Sequence, residues 1–150
     1  MAILKSSLSD LEAKELLRRD KYFEKEEIFD FPDPGKRLNL EIYSYKPERT
    51  SFFLDIAREE FNLRKHSFQN RVYTRIILLR LDLGASGHRN PDGQEIRGPH
   101  LHVYREGYED KWAYPLPNGF SDPNDAFTTL EQFMDYCNII KKPIINRKLF

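Results

Sequence analysis

Three imidazoles fall within one short stretch: His88, His100 and His102 lie between residues 84 and 116, alongside the only tryptophan, Trp112. Residues 99–104 alternate polar with apolar, so a strand there would put His100, His102 and Tyr104 on one face and Leu101 and Val103 on the other. Arg89, Arg105 and Lys111 stand close by. Imidazole and phenol move protons near neutral pH, while guanidinium and ammonium groups neutralise a pentavalent phosphate. RNA carries its own nucleophile, the 2′-hydroxyl, so such a set needs neither a metal nor an activated serine. On side-chain chemistry His102 is the base and His100 or Tyr104 the acid, with His88 beside them; Arg89, Arg105 and Lys111 are the phosphate clamps. The plainer alternative is that His100 and His102 line a half-exposed strand and hydrogen-bond to neighbouring loops.

A second feature lies upstream. Between Glu60 and Asp82 there is no acidic residue, while Arg64, Lys65, His66, Arg71, Arg75 and Arg80 all occur, interleaved with Phe68 and Tyr73. Cations beside flat rings suit single-stranded nucleic acid, whose phosphates need charge and whose unstacked bases need surfaces. Arg64, Arg71, Arg75 and Arg80 are therefore candidate RNA-binding residues. The competing reading is that they pair with acids of the N-terminal third.

A metal site is a third chemistry open to these residues. His-x-His on a strand sets two imidazoles on one side, roughly 7 Å apart at the backbone, and His66, His88 or Glu106 could complete a shell. The order His100, His102, Glu106 resembles the first metal motif of cupins. It departs from that family in the spacing of the flanking glycines and in lacking a later glycine-rich motif with a further histidine. With no clear third and fourth ligand, no metal and no cofactor is expected. Phosphate-binding loops, dinucleotide glycine fingerprints, serine elbows and paired cysteines are absent.

The elements that must position these residues read as α+β in a single domain over residues 1–150. Ser9 and Glu12 form a capping box that starts a helix over about 9–26, the charged run 21–27 being its solvated end, before Pro32 and Pro34 break it. An antiparallel meander of about five to six strands follows, over about 36–117. Leu38, Leu40 and Ile42 mark the first strand, Phe52, Leu54 and Ile56 the second, Phe61 and Leu63 a third. Residues 71–83 are a long central fourth, with Ile77, Leu79, Leu81 and Leu83 on one face. Residues 99–104 and 111–116 close the sheet as a hairpin turned by Gly107. The loop 84–98, with its Asn90-Pro91-Asp92-Gly93 turn, carries His88 and Arg89. Asp122 caps and Pro123 opens a C-terminal helix over about 123–140, packed on the sheet through Phe127, Leu130, Phe133 or Met134, Cys137 and Ile140. Residues 143–150 form a tail.

Twenty-four basic against twenty-four acidic residues leave no whole-molecule field that favours nucleic acid or a membrane, so any such evidence must be local. No apolar run approaches a membrane span, and the N-terminus lacks the apolar core of a signal peptide. A lone cysteine, Cys137, fits a reducing, cytoplasmic compartment and reads as a buried, inert thiol on a helical stripe.

From about 8 to 140, and especially in HRNPDG at 88–93 followed by PHLHVYREGYEDKWAYPLP at 99–117, the chain resembles a family of small uncharacterised proteins of bacteria and their phages and mobile elements. That family has no assigned activity. The resemblance implies a mobile-genome setting and a common role for His88, Arg89, Pro99, His100, His102, Tyr104, Arg105, Glu106, Gly107 and Trp112. The helix-then-sheet layout is also loosely similar to small ribonuclease toxins of toxin–antitoxin modules. Two functions follow as expectations. The first is a metal-independent RNA-binding, ribonuclease-like protein of a mobile-element or toxin–antitoxin setting. The second is a non-catalytic phage or defence-related module that blocks a protein partner, such as an antitoxin or host defence protein, through the loop 84–98 and the aromatic hairpin.

Overall fold

The structure, a computed structural model, describes residues 7–84 and 86–147. Ser9 begins helix α1 (Asp10–Arg18): its hydroxyl accepts from the Glu12 amide, and the Glu12 carboxylate accepts from the Ser9 amide, the reciprocal cap that the sequence predicts. The helix ends at Arg18 rather than near 26. Arg19 is already extended, and Lys21–Tyr22 form a short strand, β1. Far from being solvated, Lys21 is fully buried. Its ammonium donates to the carbonyls of Leu17, Arg19 and Cys137 at 3.1, 3.1 and 2.8 Å and lies over the Phe52 ring. Those acceptors are carbonyls at helix C-termini, where a cation offsets the negative end of the dipole. Burial lowers the Lys21 pKa to about 8.

After β2 (Ile28–Asp30), four strands form an antiparallel meander: β3 (Arg37–Ser44), β4 (Thr50–Arg58), β5 (His66–Val72) and β6 (Ile76–Leu83). Two expectations fail here. Phe61 and Leu63 belong to the exposed loop between β4 and β5, Phe61 being 90% exposed, because Arg58 already pairs with His66 across the hairpin. The single long strand over 71–83 is the end of one strand, a turn and the next strand. Tyr73 and Thr74, in the three-residue turn between Val72 and Ile76, both take positive φ, 51° and 62°, a backbone that usually falls to Asn or Gly. A register shift between Asn70 and Arg71 leaves Leu78 as the extra residue, so the alternation from Ile77 to Leu83 is broken and Ile76 turns to the core.

A small hairpin, β7 (Gly87–Arg89) with β8 (Glu95–Arg97), occupies the loop 84–98. The chain then returns as β9 (His100–Val103) against β6, with β10 (Ala113–Pro115) outside it. The C-terminal helix, α2 (Ala126–Tyr136), is capped by Asp125 rather than Asp122 and is shorter than predicted; Ile140 lies exposed on β11 (Ile139–Lys141), not on the helical stripe. Pairing parallel to β1, β11 makes one edge of an eight-stranded sheet of order β10-β9-β6-β5-β4-β3-β1-β11, larger than the five to six strands expected. The tail, of which 148–150 lie outside the described residues, supplies β12 (Ile144–Asn146), which pairs in parallel with β2. Among the described residues no helix is long and apolar enough to cross a membrane.

Both helices bury one face of this sheet. Leu16 of α1 and Leu130, Phe133 and Met134 of α2 share a core with Ile56, Phe68, Leu81 and Leu101, which stand opposite one another on successive strands. Shifting one residue along each strand turns that row over. Asn39, Asp55, Gln69, Arg80 and His102 follow across five strands, with Ser67, Asp82 and His100 in the next row. Among the described residues this polar face carries no helix, and near β9 it is roofed by the hairpin β7–β8.

Candidate functional site

Asn90 sets the roof in place. It is buried at the hairpin tip, donating through its amide to the Ala113 carbonyl (3.0 Å) and accepting from the Ala113 amide (2.8 Å), as a neighbouring strand would. His88 adds a third tie, its Nε2 donating to the Lys111 carbonyl at 2.7 Å. Two glycines allow close backbone approaches at the base of the hairpin: a Cβ on Gly84 would sit 2.2 Å from the Arg64 carbonyl oxygen, and one on Gly87 2.5 Å from that of Ile96. Both take positive φ.

The three imidazoles of the segment therefore converge. Ring centroids are 4.6 Å apart for His88 and His102, 5.0 Å for His100 and His102, and 5.8 Å for His88 and His100. They border a hollow of about 530 Å³ whose other walls include Asn62, Lys65, Arg80, Asp82 and Ser86. The strand rings lie deep in it, His100 being 2% and His102 1% exposed.

Hydrogen bonds fix how each ring presents itself. His100 Nδ1 lies 2.8 Å from the Gly98 carbonyl and His102 Nδ1 2.8 Å from that of Asp110. A carbonyl only accepts, so both Nδ1 atoms carry the proton and both Nε2 atoms turn inward. There they meet one atom, Asp82 Oδ2, at 3.3 and 3.2 Å. Arg80 Nη2 also lies 3.0 Å from His102 Nε2, and a guanidinium only donates, so in that contact the nitrogen accepts. Burial works to lower the His100 pKa, but hydrogen bonds to Asp82 and Gly98 outweigh it and leave it raised. Asp82 is pushed up by burial and more strongly down by His100, His102 and Arg80, ending well below the usual carboxylate range. Its other oxygen accepts from Ser67 at 3.1 Å and lies 3.4 Å from Arg80 Nε.

Several residues named from the sequence stand elsewhere. Tyr104 has no hydroxyl proton to spare: its oxygen donates to the Leu8 carbonyl and accepts from the Leu8 amide, anchoring the approach to α1. Glu106 caps that helix through Asp10. Arg89 pairs with Glu95, Arg105 lies 4.2 Å over the Trp112 ring, and Lys111 is exposed; none of the three clamps borders the hollow. His66 is buried against Phe31 and Phe68, which lowers its pKa, so it is no ligand partner for the others. In the basic run, Arg64 and Arg75 are exposed, whereas Arg71 is held by Asp55, and Arg80 by Asp110 and Asp82. Among the described residues Arg80 and Lys65 are the cations that reach the hollow. Asp82 escaped sequence reading altogether, although its position opposite His100 would have followed from aligning residues 76–83 with 100–103 as antiparallel neighbours.

Another hollow, of about 440 Å³, lies beyond the end of α1 between Arg18, Tyr22, Tyr45 and Lys46, but no imidazole or thiol faces it. Cys137 is wholly buried and its thiol is pushed up to about 12 by that burial, in keeping with an inert role. Comparison with curated proteins and with solved structures finds no match. A family model does match, over residues 8–139, which takes in both helices and the whole of the hollow, and the chain belongs to that family, described as a family of unknown function (DUF6978).

Proposed function

We propose that this chain is a metal-independent RNA-binding protein with ribonuclease-like chemistry, laying single-stranded RNA on the open sheet face and holding one phosphate over Arg80 and Lys65. The observation that carries the reading is the inequality of two imidazoles sharing one carboxylate: His102 Nε2 accepts from Arg80, while Asp82 favours the charged form of His100. One is a base and the other an acid. His102 takes the proton of the 2′-hydroxyl, whose oxygen attacks phosphorus; the O5′ bond breaks, and His100 protonates the departing oxygen. The products are a 2′,3′-cyclic phosphate and a 5′-hydroxyl. Asp82 stays ionised and positions both rings. Arg80 and Lys65 neutralise the equatorial oxygens.

A cytoplasmic setting beside a mobile-element antitoxin suits this chemistry, supported by the lone inert thiol and by the resemblance in layout to small toxins. The test is cleavage of a synthetic single-stranded RNA by chelator-treated protein, with a 2′-deoxy substrate as control. His102→Ala should abolish cleavage while the circular dichroism spectrum is kept; cleavage retained in the pure variant removes the reading. The near-complete burial of His100 and His102 favours a second reading, a phage or defence-related binding module that blocks a protein partner, such as an antitoxin or host defence protein, through the loop 84–98 and the aromatic hairpin. It predicts a stable complex with that protein and no turnover on any RNA.

A further inference from the structure

We propose that Asp82, His100 and His102 form a binding site for one divalent transition-metal ion of the zinc class. This goes beyond the RNA reading and does not depend on it. Both imidazoles commit Nδ1 to backbone carbonyls, Gly98 and Asp110, so each can offer only Nε2. That outer-shell bond is the one that fixes the tautomer and aim of metal-ligating histidines. Both Nε2 atoms then face the same carboxylate oxygen at 3.3 and 3.2 Å. His102 Nε2, already an acceptor from Arg80, sets a lone pair against that anionic oxygen, whereas His100 Nε2 shares a proton with it; a cation that displaces this proton is attracted to all three donor atoms. Bonds of about 2.0–2.2 Å in a tetrahedral shell place donor atoms roughly 3.3–3.6 Å apart, so those two edges are already close to the spacing required. The three donor atoms all lie within 4.8 Å of one another.

The carboxylate is also prepared for one-oxygen ligation, since Ser67 holds Oδ1 and leaves Oδ2 facing inward. Two imidazoles and one carboxylate with the remaining position open to the hollow is a donor set for zinc, cobalt or iron rather than for the oxygen cages of calcium or magnesium. Arg80 opposes the ion, its Nη2 lying 3.0 Å from His102 Nε2. Its second anchor, Nη1 to Asp110 at 2.7 Å, gives it a place to remain when that contact is released. Because the ion takes the lone pair that the base needs, zinc inhibits the RNA cleavage proposed above.

The experiment titrates chelator-stripped, full-length protein with zinc chloride by calorimetry and with cobalt(II) chloride by visible absorption. The expected result is one equivalent of zinc per chain and the intense absorption of four-coordinate cobalt. Asp82→Asn and His102→Gln should each weaken zinc binding by roughly a hundredfold or more, given that even outer-shell partners carry about 10- to 100-fold. Glu106→Gln, which removes the cupin-like third residue, should change nothing. Should a variant fail to fold, the wild-type cobalt spectrum decides. No stoichiometric uptake, a six-coordinate cobalt spectrum, or binding that survives in both folded variants overturns the proposal. An RNA assay without turnover sinks the cleavage reading alone, because zinc uptake is measured without RNA.

Discussion

Two carboxylates stand on the open face of the same sheet, each beside an arginine, and they differ in what is left over. Asp55 is saturated. Arg71 grips both of its oxygens while stacking 4.4 Å over Phe53, Gln69 donates at 2.7 Å, and the Asn39 amide, turned to donate, adds a bond at 2.8 Å. Asp82 has Ser67 and Arg80 on one oxygen, but its other oxygen faces two ring nitrogens, one of which acts as an acceptor. Where donors and acceptors balance, a polar cluster is scaffold. A cluster with surplus acceptors aimed at one point has capacity for a proton, a phosphate-bound hydroxyl or a metal ion.

The sharpest way to break this contrast is to neutralise each carboxylate in turn. Asp82→Asn should abolish RNA cleavage, with a loss of at least about a hundredfold. Asp55→Asn should leave cleavage within about twofold of the parent wherever the protein remains folded; the initial rate on one RNA substrate measures both. In stability the effect of Asp55→Ala should be large, about 2–3 kcal/mol by urea denaturation. That is less than the roughly 3–5 kcal/mol of a fully buried broken pair, because Arg71 is partly exposed.

Lys21 is a second saturated charge, and its burial predicts a pH effect. Its folded pKa of about 8 lies below the ordinary 10.5, so between those values the unfolded chain holds the extra proton. Stability should therefore rise as pH climbs through that window, by about 3 kcal/mol at most, and be insensitive to this group below it. Urea midpoints at a series of pH values check this, and Lys21→Met should lose the rise. Asn90→Ala, which orphans the Ala113 amide and carbonyl, should cost about 2 kcal/mol. It should also release His88 from the other two rings, visible as altered imidazole chemical shifts. Phe61→Ser, at a side chain that touches little, should stay within about 0.5 kcal/mol of the parent.

Much of this was legible in the sequence for physical reasons. The Ser9–Glu12 cap is local, the alternation of residues 38–42 and 52–56 states which face is buried, and His100 and His102 share a face because side chains alternate along a strand. What escaped depends on contacts distant in the chain. Nothing near Lys21 announces that its partner is Cys137, and the parallel pairings of β1 with β11 and β2 with β12 join opposite ends of the protein. Tyr73 and Thr74 carry no turn signal, so two strands read as one. For the same reason nothing within residues 71–83 marks Asp82 as a neighbour of His100; only the pairing of β6 with β9 brings them together. Tyr104 shows the converse: periodicity put it with the histidines, but it lies just past the end of β9 and its hydroxyl is consumed by Leu8.

The most direct measurement is nitrogen-15 NMR of the imidazoles in metal-free wild-type protein at neutral pH. Both His100 and His102 should retain the Nδ1 proton, with His102 Nε2 unprotonated and His100 Nε2 sharing a proton with Asp82. A spectrum in which both rings carry the proton on Nε2 and leave Nδ1 bare would contradict it, since neither nitrogen could then serve as base or ligand at that carboxylate.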